Sequence, residues 1–170
     1  MPSIHLIPRT LHVVSVDPNE EDRTESEEFR DAKRRLHEDG HMKCWVCGGT
    51  ENLQVHHAAL EWSTRVLADF AKIKQFVEEF DPYGYGRLLR NKPLTSVEDV
   101  RCMLVLCQKH HTGIDTTDGH MGTGIHDMDW PTWLMQKLSR DGLDPVPQQG
   151  ETAEQALQRI EAALGEGASA

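Results

Sequence analysis

Two short motifs far apart in the chain constrain its fold more than any other feature: Cys44-Trp-Val-Cys47-Gly-Gly, and a later run holding Cys102, Cys107, His110 and His111. Two thiolates three residues apart on a glycine-rich turn form a knuckle that can hold one face of a tetrahedral zinc. Two further ligands are then required, and the later run offers two pairings. Cys102 with Cys107 would make an all-thiolate site, but their odd separation sends the side chains to opposite faces of an extended strand. Cys107 with His110, two residues between them on the turn into a helix, is the better pair. The expected structural zinc is therefore held by Cys44, Cys47, Cys107 and His110, and it clamps the whole segment between them. A redox CxxC or buried, unliganded thiols are the alternatives, and neither accounts for the second Cys/His cluster.

At 170 residues the chain is long enough to bury a core without disulfide staples. The apolar block Met103–Leu106 falls far short of the ~20 residues of a membrane span. The first 16 residues lack the charged start, apolar block and small-residue cleavage site of a signal peptide, so a soluble, cytoplasmic protein is expected. The formal charge of -10 argues against a protein that coats nucleic acid, which is held chiefly by Lys and Arg. That charge is unevenly placed. Residues 1–40 carry six basic and ten acidic side chains, residues 41–140 eleven and twelve, and residues 141–170 one and six. All four cysteines and seven of the ten histidines lie in the nearly neutral middle, where the chemistry is to be sought.

Periodicity divides the chain coarsely. Ile4–Val16 reads as an extended edge segment, and Thr24-x-x-Glu27 as the capping box of a helix reaching Glu38, with Phe29, Ala32 and Leu36 on one stripe. Gln54–His57 reads as a short strand. Residues 59–80 read as one helix with Val66, Phe70, Ile73, Val77 and Phe80 on its buried stripe, and 81–93 as a loop. Val100–Leu106 is a second apolar strand, followed by one or two helical turns from Gln108. A Gly-rich stretch, 119–124, leads to a helix at 131–139 begun by Pro131. Residues 141–150 form a Pro-rich linker, and Thr152-x-x-Gln155 caps a final helix. The four tryptophans, Trp45, Trp62, Trp130 and Trp133, are expected to serve packing.

With Cys107 and His110 spent on zinc, His56, His57 and His111 remain and are brought near one another. Successive strand residues face opposite ways, so His56 and His57 should differ in role: one binds metal, the other stays neutral to take a proton from water. The order Cys44-x2-Cys47, Leu53-Gln-Val-His56-His57, Leu104-Val-Leu-Cys107-x2-His110-His111 resembles the zinc-bound branch of the HNH (His-Me finger) endonucleases, in particular the phage and bacterial type. The resemblance covers roughly residues 41–135 and implies an α+β fold with a ββα-metal core clamped by zinc. It divides the chain into an N-terminal strand and helix (1–40), a nuclease domain (41–140) and a linker with a C-terminal helix (141–170).

Position by position, the resemblance makes His57 the general base and His56 and His111 ligands of a catalytic divalent ion such as Mg2+ or Mn2+. It adds Asp115, one helical turn beyond His111, as a further ligand. The implied activity is hydrolysis of DNA phosphodiester bonds, the ion acting as Lewis acid. Arg87, Arg90 and Lys92 beside Tyr83 and Tyr85 form the basic and aromatic cluster expected to contact the DNA backbone and stack on bases. His126, at the end of the Gly122–Gly124 loop, is a candidate for an extra ligand. The chain departs from the family where its central asparagine is expected: Cys102 stands there, and Asn91 is out of register. A thiol braces a backbone loop poorly. The competing expectation is therefore a zinc-stabilised binding module with weakened or no catalysis, meeting a protein or nucleic-acid partner, with the acidic ends as a docking surface.

Overall fold

The computed structural model describes residues 24–112, 114–115, 119–120, 125 and 132–167, without the side chains at 114, 115, 119, 120, 132, 133, 166 and 167. The expected edge segment at 4–16, the Gly-rich stretch bar 119–120, His126, Trp130 and Pro131 lie outside the described residues, as do the side chains of Asp115 and Trp133.

Helix α1 (Glu27–Glu38) is capped by Ser26, two residues beyond the Thr24 of the expected capping box: the Ser26 hydroxyl accepts from the Phe29 amide at 3.0 Å. Glu27 and Glu28 sit in the first turn and Arg35 and His37 in the last, matching the helix dipole. Gly40, at φ +76°, ends it in a Schellman motif, with His41 N–H donating to the Leu36 carbonyl at 2.8 Å and Gly40 N–H to His37 at 3.1 Å. Phe29, Ala32 and Leu36 face the core as their spacing dictates.

Strands β1 (Leu53–His57) and β2 (Met103–Cys107) pair antiparallel, Leu53 opposite Cys107 and His57 opposite Met103. Strand β2 is buried on both faces from Met103 to Leu106, so it reads as a continuous apolar run, whereas Gln54 of β1 is exposed. Met103 and Val105 face the main core, shared with α1, α2 (Phe70–Glu79) and α5 (Thr132–Leu138). Leu104 and Leu106 face a smaller cluster with Cys44 and Ala58. The second strand starts later than Val100, because Val100–Cys102 forms a 3-10 turn capped by Asp99. Helix α4 (Gln108–Thr112) follows β2 directly. Beyond it β3 (Ile114–Asp115) pairs with β4 (Gly119–His120). The architecture is α+β: several helices around small two-stranded antiparallel sheets.

The single helix expected over 59–80 is replaced by two parts. Ala59 and Leu60 fill the core from irregular backbone, a 3-10 turn spans Arg65–Leu67, and α2 begins only after Asp69. The Asp69 carboxylate accepts from the amides of Ala71 and Lys72, each at 3.0 Å, and so fixes the helix start. Val66 therefore leaves the Ile73–Val77 stripe and packs on the C-terminal helix.

The loop at 81–93 contains the short helix α3 (Tyr85–Leu88), whose first amides are held by the Asp81 carboxylate. Gly86 is required there: a Cβ would lie 2.0 Å from the Val77 carbonyl oxygen. Arg101, almost wholly buried, fastens the same loop to β2. Its guanidinium donates to the carbonyls of Leu89, Lys92 and Pro93 and pairs with Asp99 at 2.7 Å, so the buried charge is fully partnered.

Helix α6 (Ala153–Gly167) carries the expected capping box, with Thr152 N–H donating to Gln155 Oε1 at 2.8 Å and Gln155 N–H to Thr152 Oγ1 at 3.2 Å. Ala156 and Ile160 bury against Leu67 and Leu143. The Pro-rich segment before it is no free linker. Leu143 and Pro145 are buried, and Arg159 donates to the carbonyls of Gly142, Asp144 and Val146 while pairing with Glu151 at 3.0 Å. Among the described residues, no helix is long and apolar enough to cross a membrane.

Candidate functional site

The knuckle is built on β2. Trp45 N–H donates to the Val105 carbonyl, Gly48 N–H to Cys44 and Cys44 N–H to Gly49, at 2.7 to 2.8 Å. Gly48 supplies the positive φ of +73° that the turn needs. Because Cys107 ends β2 and His110 lies one turn into α4, the fold delivers both motifs to one point. The ligand atoms of Cys44, Cys47, Cys107 and His110 all lie within 4.8 Å of one another.

Three of the six edges lie close to those of a tetrahedron around zinc. Zn–S near 2.3 Å and Zn–N near 2.0 Å require S···S of about 3.8 Å and S···N of about 3.5 Å. Cys47 Sγ to Cys107 Sγ is 3.9 Å, Cys44 Sγ to His110 Nδ1 is 3.5 Å, and Cys107 Sγ to His110 Nδ1 is 3.2 Å. The four residues fit a metal such as zinc, and Cys102 is left out of the set because it lies in the 3-10 turn before β2, the whole strand away from Cys107.

Electrostatics agree. Burial opposes ionisation of Cys44, but the amides of Cys107, Cys47 and Val46 directed at its sulfur outweigh this and lower the thiol to about 6. Cys107 is pushed up, by burial first and then by the neighbouring sulfurs of Cys44 and Cys47. Thiols this close resist ionising together, and a divalent cation removes that resistance.

The remaining histidines form a second cluster. His56 and His57 are both buried but point to opposite sides of β1, as alternation requires. His57 faces the main core: its ring stacks on Phe29, centroids 5.4 Å apart, and its Nδ1 lies 3.2 Å from the Val97 carbonyl oxygen. A carbonyl only accepts, so Nδ1 carries the proton and Nε2 is the basic nitrogen. His56 faces α4, its Nδ1 3.1 Å from His111 Nε2. Glu61 and Gln54 complete the group: Glu61 Oε1 lies 2.9 Å from His56 Nε2, and Gln54 Oε1 lies 2.5 Å from His111 Nδ1. Neither was expected from sequence. Gln54 was legible, since it shares the strand face of His56 two residues on. Glu61 was hidden by the reading of 59–80 as one helix. Beside His111 a cleft of about 420 Å³ opens between α1 and β1, its polar lining made by Glu25, Lys33, Gln54 and His111.

Cys102 is fully buried, and burial pushes its thiol far above its ordinary value, so it stays protonated. Its backbone, however, receives the Ala58 amide at 2.6 Å, immediately after His57. The basic and aromatic cluster is only partly available. Tyr85 is buried with its hydroxyl donating to Asp39 at 2.7 Å, which removes it as a base-stacking platform. Tyr83 is half-buried, its hydroxyl accepting from the Val105 amide at 2.8 Å. Arg87 is exposed and pairs with Asp81 at 3.2 Å, while Arg90 and Lys92 are exposed. Trp45 is half exposed, against the packing expected of it, and meets Phe80 edge-on. Trp62 is half-buried with the Arg65 guanidinium 3.6 Å over its ring. A scan against protein-family models, a search of curated proteins and a search of solved structures each find no match to this chain, so its classification rests on the chemistry of these two clusters.

Proposed function

We propose that the chain is a metal-dependent endonuclease of the HNH type, built on a ββα-metal core of β1, β2 and α4 and acting on DNA. The single observation that carries this reading is the pair of histidines ending β1: His56 turned to His111 at 3.1 Å, His57 turned away with its Nδ1 on the Val97 carbonyl. Two nitrogens bound to one ion at about 2.1 Å stand roughly 3.0 to 3.4 Å apart, which suits His56 and His111 as ligands of a divalent ion. Such an ion would neutralise the scissile phosphate and stabilise the leaving oxygen. His57, protonated on Nδ1, offers Nε2 to take a proton from the attacking water. The Cys102 carbonyl braces the backbone after His57 through Ala58 N–H, standing in for the family's asparagine. Lys33 and Gln54 in the cleft beside His111, with Arg87, Arg90 and Lys92, supply contacts to the DNA backbone.

One observation favours a second reading, a binding module with little or no catalysis. His57 is 1% exposed under Phe29, so water reaches it only if α1 yields. A plasmid-nicking assay with Mg2+ or Mn2+ separates the two. Nicking that falls about 10² to 10⁴-fold in His57→Ala is expected for the enzyme. Nicking unaffected by His57→Ala, or none from the wild type while DNA or a protein partner is still bound, rejects it.

A further inference from the structure

We infer that Glu61 is a positioning residue for the His56/His111 ion site, holding His56 in the one tautomer that can ligate there. The inference rests on the reading of His56 and His111 as ion ligands. Glu61 Oε1 lies 2.9 Å from His56 Nε2 in an ion-pair contact set off the line of a hydrogen bond, and a carboxylate at that distance repels a bare ring nitrogen, so it favours the proton on Nε2. The lone pair of His56 is then on Nδ1, the atom 3.1 Å from His111 Nε2.

The same arrangement recurs across the pair. Gln54 Oε1, 2.5 Å from His111 Nδ1, accepts a hydrogen bond from the Nδ1–H of that ring and leaves a bare Nε2 facing His56. Two lone pairs at 3.1 Å repel unless a cation lies between them, so the outer oxygens prepare the inner nitrogens for a shared ion, or for a proton in its absence. This is the carboxylate–histidine–metal pattern, in which the outer acceptor sets both orientation and basicity of the ligand.

Glu61 is itself held for the task. Its carbonyl accepts from the Thr64 amide at 3.2 Å and from the Thr64 hydroxyl at 3.1 Å, which fixes the turn after β1. Burial sharpens the effect: His56 is 4% exposed, so little water competes for Nε2. The set is distinct from the cysteine centre, because none of its members is a thiol.

The test uses zinc-loaded protein, with Mn2+ as the probe because it does not displace zinc from thiolates. Imidazole 15N resonances of His56 and Mn2+ affinity are measured for wild type, Glu61→Ala and Glu61→Gln. Expected in the wild type is His56 protonated on Nε2 and bare on Nδ1. Glu61→Ala loses that preference and binds Mn2+ about 10 to 100-fold more weakly. Glu61→Gln, which keeps an acceptor oxygen, restores the tautomer and most of the affinity. A wild-type His56 protonated on Nδ1, or an unchanged tautomer and affinity in Glu61→Ala, overturns the inference while leaving the ion reading standing. A wild type that binds no Mn2+ rejects the ion site and with it the inference, whatever its His56 tautomer.

Discussion

Removing zinc from the cysteine centre should destabilise the protein without unfolding it. A metal held there would cross-link Cys47 to Cys107 across a separation of 60 residues. In the chain-entropy treatment of cross-links, a loop of that length restricts the unfolded chain by about 14 cal/mol/K, or about 4 kcal/mol at 25 °C. Small zinc domains lose all structure without metal, since there the site replaces a core. Here the main core of α1, α2, β2 and α5 lies on the other side of the sheet from the knuckle, whose own apolar cluster is Cys44, Ala58, Leu104 and Leu106. The apo protein should therefore stay folded, with a melting temperature roughly 8 to 16 °C lower, as about 4 kcal/mol implies for a chain of this size. Cys47→Ser is the clean substitution, because Cys47 is exposed and its loss opens no cavity. Metal analysis, scanning calorimetry and hydrogen exchange at the Trp45 and Gly48 amides form the assay. One zinc per wild-type chain, its loss from Cys47→Ser and its retention in Cys102→Ala are expected. Full zinc in Cys47→Ser, or a chelated protein melting within about 2 °C of the metal-loaded one, would refute the reasoning.

Three further outcomes are expected. Ile160→Ala, at a fully buried position between α6 and Leu67, should cost about 2 to 5 kcal/mol in urea unfolding, and a loss below about 1 kcal/mol would show that α6 does not dock. The Tyr85 hydroxyl, ahead of Arg35, holds the Asp39 carboxyl below its ordinary value against the opposing effect of burial. With the folded value depressed, that contribution is present above the unfolded value near 4 and is lost as pH falls through the folded one. In Tyr85→Phe, NMR titration should show the Asp39 value rise, and an unchanged curve contradicts the contact. Neutralising Arg87 and Arg90 together should weaken DNA binding evenly across sequences and flatten its salt dependence by up to about two contacts, measured by fluorescence anisotropy at several salt concentrations; an unchanged slope removes them from the interface.

The sequence was most legible where a short-range rule decides the outcome. Cys44-x2-Cys47 and Cys107-x2-His110 set ligand spacing locally, whereas Cys102 is kept out by its place in the 3-10 turn before β2 and not by strand parity. The Thr152–Gln155 capping box and the Ala156–Ile160 stripe of α6 are likewise local. The helix over 59–80 failed because two different cores read the same periodicity: Val66 belongs to the α6 cluster and Ile73 to the main one, and the Asp69 cap divides them. Tyr85 failed for a related reason. Its neighbours Arg87 and Arg90 are exposed, but its ring is taken up by the core and its hydroxyl by Asp39.

By itself the sequence determined the four-ligand centre, the opposed directions of His56 and His57 and the buried stripes of α1 and α6, because each follows from spacing along one stretch of backbone. Only the tertiary structure decided which groups meet those side chains from elsewhere: Glu61 on His56, Gln54 on His111, the Val97 carbonyl on His57, and the apolar burial of Cys102. Such partners are set by how irregular segments return to the sheet. That is governed by packing and loop closure over many residues, for which no local repeat exists to be read.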